Sequence, residues 1–235
     1  MSGTLYIVAT PIGNLKDVTL RAITTLSDAD IILCEDTRVT GKLLSSLNSK
    51  FQIHNSKLLS YHQHSSDSRK LEILQILQSG KNVALVTDAG TPGISDPGNE
   101  LISYLLSLVP DLKVVPIPGP SAITTALSVS GFNVNKYVFL GFMPKKKKEK
   151  LFNWLKEGKI SFAYYDSPHR VIKNLREIPE KFGEEIEVFV ARELTKIHET
   201  LYRGSIMEVI AKMENGVTKG EFVVVINFFP AGKQL

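Results

Sequence analysis

The chain has 235 residues, 43% hydrophobic and 22% charged, an ordinary globular composition that excludes global disorder. Its 28 Lys and Arg against 24 Asp and Glu leave a formal charge of +4, which permits a nucleic-acid partner without requiring one. A lone cysteine excludes an intramolecular disulfide, no apolar run is long enough for a membrane span, and no metal-type Cys/His spacing appears.

Met1 to Tyr6 lacks a charged segment followed by an apolar core, so no secretory signal is predicted and a soluble, cytoplasmic protein is expected. Leu5 to Ala9 reads as a buried strand, and Leu20, Ile23 and Leu26 mark a helix face. Ile31 to Leu33 is a second strand, where Cys34 reads as a small buried hydrophobe. Leu71, Leu74 and Leu77 predict a helix closed by Gly80. Val83 to Val86 is a third strand, Leu101, Leu105 and Leu108 a third helix, and Val114 to Ile117 a fourth strand. Strands alternating with helices predict a mostly parallel sheet covered on both faces.

Beyond the Pro/Gly-rich hinge at Pro116 to Pro120 the pattern changes. Ser121 to Ser130 predicts a helix of small and apolar residues. Strands are predicted at Tyr137 to Phe142, Ile160 to Tyr165, Ile186 to Ala191 and Phe222 to Phe229, with helices at Glu149 to Lys156 and Arg170 to Glu177. Thr200 to Arg203 is short enough to pair directly with a neighbouring strand. The expectation is an α/β protein of two domains, an N-terminal α/β domain over 1–117 and a C-terminal α+β mixed-sheet domain over 118–235.

Three loops after predicted strands are rich in Gly, Pro and small polar residues: Thr10 to Asn14, Asp88 to Gly98, and Pro118 to Ala122. Carboxyl ends of parallel strands form the ligand crevice, and glycine lets backbone approach a ligand. None of the loops matches a dinucleotide fingerprint or a phosphate loop. The second loop is long for a plain connection, as functional loops often are.

Thr10-Pro11-Ile12-Gly13-Asn14-Leu15, Glu35-Asp36-Thr37-Arg38, Asp88-Ala89-Gly90-Thr91-Pro92, Ser95-Asp96-Pro97-Gly98 and Pro118-Gly119-Pro120-Ser121-Ala122 occur in that order. Asp166-Ser167-Pro168-His169-Arg170 and Arg192-Glu193-Leu194-Thr195-Lys196 also belong to the set. Together they resemble the ribosomal RNA small subunit methyltransferase I family, a branch of the tetrapyrrole methylases. The resemblance covers nearly the whole chain. It implies S-adenosyl-L-methionine bound between the two domains, a homodimer, and 2′-O-methylation of a cytidine in the decoding region of small-subunit ribosomal RNA. By motif position it implies cofactor contacts at Pro11, Ala89, Gly90, Thr91, Ile94, Ser121 and Ala122, and less sharply at Tyr165, Asp166, Leu194, Gly220 and Glu221. Members of that branch often carry a small helical domain after the last strand. This sequence ends at Leu235, which places RNA affinity in question more than cofactor binding.

For the chemistry, Glu35, Asp36 and Arg38 are candidates to hold the ribose and a neighbouring phosphate, against a reading as a helix-capping cluster. Asp88 is a candidate to orient the hydroxyl, against a reading as a turn residue. Ser167 and Pro168 have helix-start character, which leaves His169 and Arg170 as RNA contacts. Arg192, Glu193 and Lys196 read as substrate contacts or, almost equally, as a salt-bridged structural cluster. Lys145, Lys146, Lys147 and Lys148 offer phosphate contacts or form a solvated loop. His62 and His64 lie in a polar loop that closes over substrate on the functional reading. The competing functions are methylation of a tetrapyrrole precursor and a non-catalytic ribosome-assembly role.

Overall fold

The computed structural model describes residues 2–51, 57–133 and 135–228. The chain forms two compact units, Met1–Ser121 and Ala122–Leu235.

The first unit is a five-stranded parallel sheet made of β1 (Leu5–Val8), β2 (Ile31–Cys34), β3 (Lys57–Ser60), β4 (Val83–Leu85) and β5 (Val114–Ile117), in the order β3-β2-β4-β1-β5. The helices are α1 (Leu20–Asp28), α2 (Thr37–Phe51), α3 (Asp67–Gln78) and α4 (Asn99–Leu108). Side chains alternate across the sheet, so its apolar strands feed two cores. Val8, Ile32, Cys34, Ala84 and Ile117 pack with Ala22 and Leu26 of α1. Leu5, Ile31, Leu33, Val83 and Leu85 pack with Ile73 and Leu77 of α3 and Leu101 and Leu105 of α4.

The fifth strand, β3, was not expected. Lys57-Leu58-Leu59-Ser60 holds only two apolar residues, too few to read as a buried run, and it sits at the sheet edge. The helix faces also sit differently from the leucine spacing. Leu20 is 75% exposed, and Leu71 and Leu108 are exposed as well. At 3.6 residues per turn, residues three apart drift around the helix, so an end member falls outside the buried stripe. Gly80 does follow α3 in a left-handed conformation (φ 86°), its N–H donating to the Leu77 carbonyl.

The second unit holds α5 (Ala122–Ser130), β6 (Val138–Phe142), α6 (Lys148–Glu157), β7 (Phe162–Asp166), α7 (Val171–Phe182), β8 (Glu187–Arg192), β9 (Thr200–Ser205), α8 (Ile206–Glu214) and β10 (Phe222–Asn227). Phe229, the last residue of the predicted final strand, lies outside the described residues. The sheet runs β6-β7-β10-β8-β9, with β6 parallel to β7 and every other pair antiparallel. As expected, the Thr200 segment pairs directly with its sequence neighbour. Helix α8 was unexpected; Ile206, Val209, Ile210 and Met213 bury its inner stripe. Arg203 of β9 holds the end of α5, its guanidinium donating to the carbonyls of Ser130 (2.6 Å) and Val129. That is the favourable sign of charge for a helix C-terminus.

Candidate active site

Adjacent strands β1 and β4 send their chains to opposite faces of the first sheet, into α1 and α4. Such a switch of direction leaves a crevice beyond the carboxyl ends of the strands. The loops there are tied together. Thr10 and Gly90 exchange backbone hydrogen bonds of 2.9 and 3.1 Å. The Thr91 hydroxyl donates to the Pro120 carbonyl at 3.0 Å. The three Gly/Pro loops of the sequence therefore converge within this unit. Gly90 has φ 86°, and a Cβ there would meet Ile12 at 3.3 Å, so only glycine fits without strain. Pro11 is buried, Ala89 and Ile94 are exposed, and Thr91, Ser121 and Ala122 are half-buried, which leaves this backbone open to a ligand.

Carboxylates gather at the same strand ends. Asp88 follows β4 and accepts the Asp36 N–H at 3.2 Å. Asp36 is gripped by Arg38 through Nε (3.0 Å) and Nη2 (2.6 Å), which holds its carboxyl down to about 2. It also accepts the Arg38 N–H at 2.8 Å, a turn-forming bond at the start of α2. The Asp36 side chain thus serves the helix start as the capping reading expects, and the Arg38 side chain remains 85% exposed. Glu35 and Asp88 are pushed the other way. Burial raises both, and repulsion from Asp88 adds to the rise at Glu35 and from Asp36 at Asp88. Asp96, in the second loop, is pushed up to about 6 by burial and by Glu35 and Asp88. Asp96 belongs to the quoted motif but was not among the predicted site residues. Its turn neighbours Ser95, Pro97 and Gly98 make it look like loop chemistry, and its approach to Glu35 is visible only in three dimensions. His62 lies close enough to Glu35 to favour its charged form, whereas His64 bonds locally to the His62 ring.

In the second unit, Asp166 ends β7 with its side chain fully buried. It accepts from the Ser167 N–H (2.9 Å) and Asn174 Nδ2 (2.6 Å), and Arg170 lies at 3.4 Å. Burial nevertheless keeps its carboxyl above the usual range. Arg170 also donates to the Met143 carbonyl (3.0 Å) and Ser167 Oγ (3.3 Å). Arg170 is therefore committed to internal bonds and is not free as the sequence suggested. Ser167 does not cap α7 through its side chain. The helix begins at Val171, with Ser167 to Arg170 forming a preceding turn that leaves His169 exposed. Lys148 likewise departs from the predicted lysine patch. Its Nζ donates to Asn174 and Glu177, both at 2.6 Å, because it lies on the face of α6 that meets α7. Lys145, Lys146 and Lys147 are exposed.

Tyr165 sits between Phe139 and Phe142, with ring centroids 4.9 and 5.6 Å away. Leu194, Gly220 and Glu221 come together. Glu193 N donates to the Glu221 carbonyl and Glu221 N to Glu193 Oε1, both at 2.9 Å, and Lys196 bridges the two carboxylates. Burial opposes charge on Glu193, but Lys196, the Glu221 N–H and Arg192 together outweigh it and hold the carboxyl below its usual range. Glu193 and Thr195 are both left-handed (φ 53° and 66°), and Gly220 has φ 116° with no room for a Cβ against Glu193. The buried Thr195 hydroxyl has no hydrogen-bond partner among the described residues. Strain and an unmet polar group at one turn are features of ligand sites. Arg192 is structural, donating to the carbonyls of Lys219 (2.6 Å) and His198 (2.9 Å).

Residues 4–210 match the family model of tetrapyrrole (corrin/porphyrin) methylases. A ribosomal RNA small subunit methyltransferase I from Synechocystis is 45% identical over 226 residues, covering 95% of this chain and 78% of that protein. Its counterpart from Thermotoga maritima is 44% identical over 226 residues, covering 96% and 98%. Among solved structures, a cobalt precorrin-4 methyltransferase superposes with a TM-score of 0.69 at 19% identity, covering 94% of each chain. A uroporphyrin-III-C-methyltransferase from Thermus thermophilus superposes with a TM-score of 0.60 at 16% identity, covering 96% and 92%. The structural likenesses establish the fold, in agreement with the expected fold class. No described helix is long and apolar enough to cross a membrane. From its fold, its motifs and these identities, the chain belongs to the tetrapyrrole methylase family, in its ribosomal RNA small subunit methyltransferase I branch.

Proposed function

We propose that the chain transfers a methyl group from S-adenosyl-L-methionine to the 2′-hydroxyl of a cytidine in the decoding region of small-subunit (16S) ribosomal RNA. The supporting observation is a tied, glycine-dependent backbone at the strand ends, with the Glu35, Asp88 and Asp96 carboxylates beside it, in a chain 45% identical to a named enzyme of that kind. The backbone suits the cofactor in this reading, because Gly90 adds no side chain to the turn and Thr91 ties it to Pro120. Pro11, Ala89, Gly90, Thr91, Ile94, Ser121 and Ala122 hold it in this reading. In the second unit, the strained turn of Leu194, Gly220 and Glu221 and the aromatic face of Tyr165 are the positions that the family motifs assign to ligand binding. Asp166 acts one step back, positioning the turn that follows β7.

When bound, S-adenosyl-L-methionine supplies a methyl group on a good leaving group, so the protein's task is alignment and management of one proton. Asp88, at the end of β4, accepts the ribose hydroxyl hydrogen bond. Glu35 and Asp96 share the negative field, and a carboxyl near 6 is suited to taking a proton at neutral pH. Arg38, fixed by Asp36 yet exposed, meets an RNA phosphate, and His169 offers a second contact. The reading extends to a homodimer acting in the cytoplasm, the former open to sedimentation analysis. The discriminating experiment offers the enzyme two acceptors with labelled cofactor, unmodified small ribosomal subunits and a precorrin-like macrocycle. Label in the RNA alone supports the proposal, and label in the macrocycle alone overturns it. Cofactor titration that gives no heat favours a non-catalytic assembly factor instead.

A further inference from the structure

The residues 145–159 carry seven lysines against two glutamates, a surplus of five, while the whole chain carries only +4. The rest of the molecule is thus slightly acidic, and the positive charge is concentrated on one strap and one helix. Lys148 turns inward to Glu177 and Asn174. Lys145, Lys146, Lys147, Lys150, Lys156 and Lys159 are all exposed. Phe152 and Leu155 bury the inner stripe of α6, which leaves Lys150 and Trp154, four residues apart, as neighbours on its outer face. Trp154 is 50% exposed and stacks on no other ring among the described residues. Phe142, 57% exposed, ends β6 three residues before the lysine run. A half-exposed indole offers a flat face for stacking, and a cationic surround favours an anionic partner over an apolar or cationic one.

From this juxtaposition we infer that the outer face of α6 and the Lys145 to Lys147 strap form a docking surface for single-stranded RNA, with a base stacked on Trp154. The inference rests on the reading of the chain as an RNA methyltransferase and names how the substrate strand is held. Lysines of this kind contact phosphates without reading sequence, and an exposed aromatic accepts any base face. The surface therefore supplies affinity rather than choice of nucleotide.

Trp154 is the sole tryptophan of the chain, so its fluorescence reports on this surface alone. The test titrates the full chain with a single-stranded oligocytidylate of about a dozen nucleotides, with anisotropy of labelled RNA as a second readout. The expected result is quenching that saturates together with the anisotropy. Trp154→Ala then weakens RNA binding at least ~5-fold and Trp154→Phe retains most of it. Replacing Lys145, Lys146 and Lys147 by glutamine lowers the slope of log affinity against log salt by about 2. RNA binding without quenching, or no RNA binding at low salt, overturns the inference. So does a Trp154→Ala variant that loses a dimer in sedimentation but keeps its RNA affinity, which would assign the face to a second copy. Methyl transfer to subunits, measured in parallel, separates the two readings. Transfer with unquenched Trp154 removes only this surface, whereas quenching without transfer removes only the catalytic reading.

Discussion

Asp96→Asn should make the protein more stable and less active. Asp96 has its carboxyl pushed up from an ordinary 3.8 to about 6, first by burial and then by Glu35 and Asp88. The native state therefore holds this proton more tightly than the unfolded chain does. The stability it contributes is fully present below about pH 4, declines as pH rises toward 6, and is absent above. A shift of about two units corresponds to roughly 3 kcal/mol, and partial exposure reduces that to about 1–2 kcal/mol. Asparagine has the shape of the neutral form without the charge. Urea unfolding at pH 8 should then show Asp96→Asn more stable by about 1–2 kcal/mol, with the gain shrinking severalfold at pH 4. Methyl transfer should fall by about ten-fold or more, the usual trade where like charges are held together for chemistry. A variant less stable at pH 8, or a difference equal at both pH values, refutes the electrostatic argument.

Gly90→Ala places a Cβ 3.3 Å from Ile12 at φ 86°. It should cost about 1–2 kcal/mol of stability and weaken cofactor binding in calorimetry; unchanged affinity would show that the ligand does not meet this backbone. Asp166→Ala removes the buried acceptor of Asn174 and the neighbour of Arg170. A loss of about 3–5 kcal/mol is expected from the urea midpoint, and a loss under 1 kcal/mol would mean that the network re-forms around water.

The parts of the fold legible in the sequence were those with strong local signals. Leu5, Ile31, Val83 and Val114 each begin a short apolar run; the runs at Ile31 and Val83 form strands buried along their whole length, and that at Val114 a half-buried edge strand. The glycine-rich loops pointed to a ligand crevice because only glycine tolerates conformations such as that at Gly90. The edge strand Lys57–Ser60 carried no such run. Ser167 and Pro168 suggested a cap that the turn before Val171 displaced. Lys148 looked like its three neighbours until the helix turned it toward Glu177. Arg170 read as free because the Met143 carbonyl comes to it from 27 residues away, while the nearby Asp166 ends β7. Asp96 gave no local sign of its role, since its shift comes from burial and from Glu35 and Asp88 across the sheet ends. The misses at Lys148 and Asp96 are a helix phase and contacts remote in sequence, which local pattern does not carry, whereas those at the edge strand, Ser167 and Arg170 had local signals too weak or too ambiguous to read.

The central claim is tested most directly by incubating the protein with methyl-labelled S-adenosyl-L-methionine and small ribosomal subunits lacking the modification, then mapping the labelled nucleotide. The account predicts label on the 2′-oxygen of one cytidine ribose in the decoding region, lost in Asp88→Asn. Label on a base or on another RNA, or no label while the cofactor binds, would contradict it.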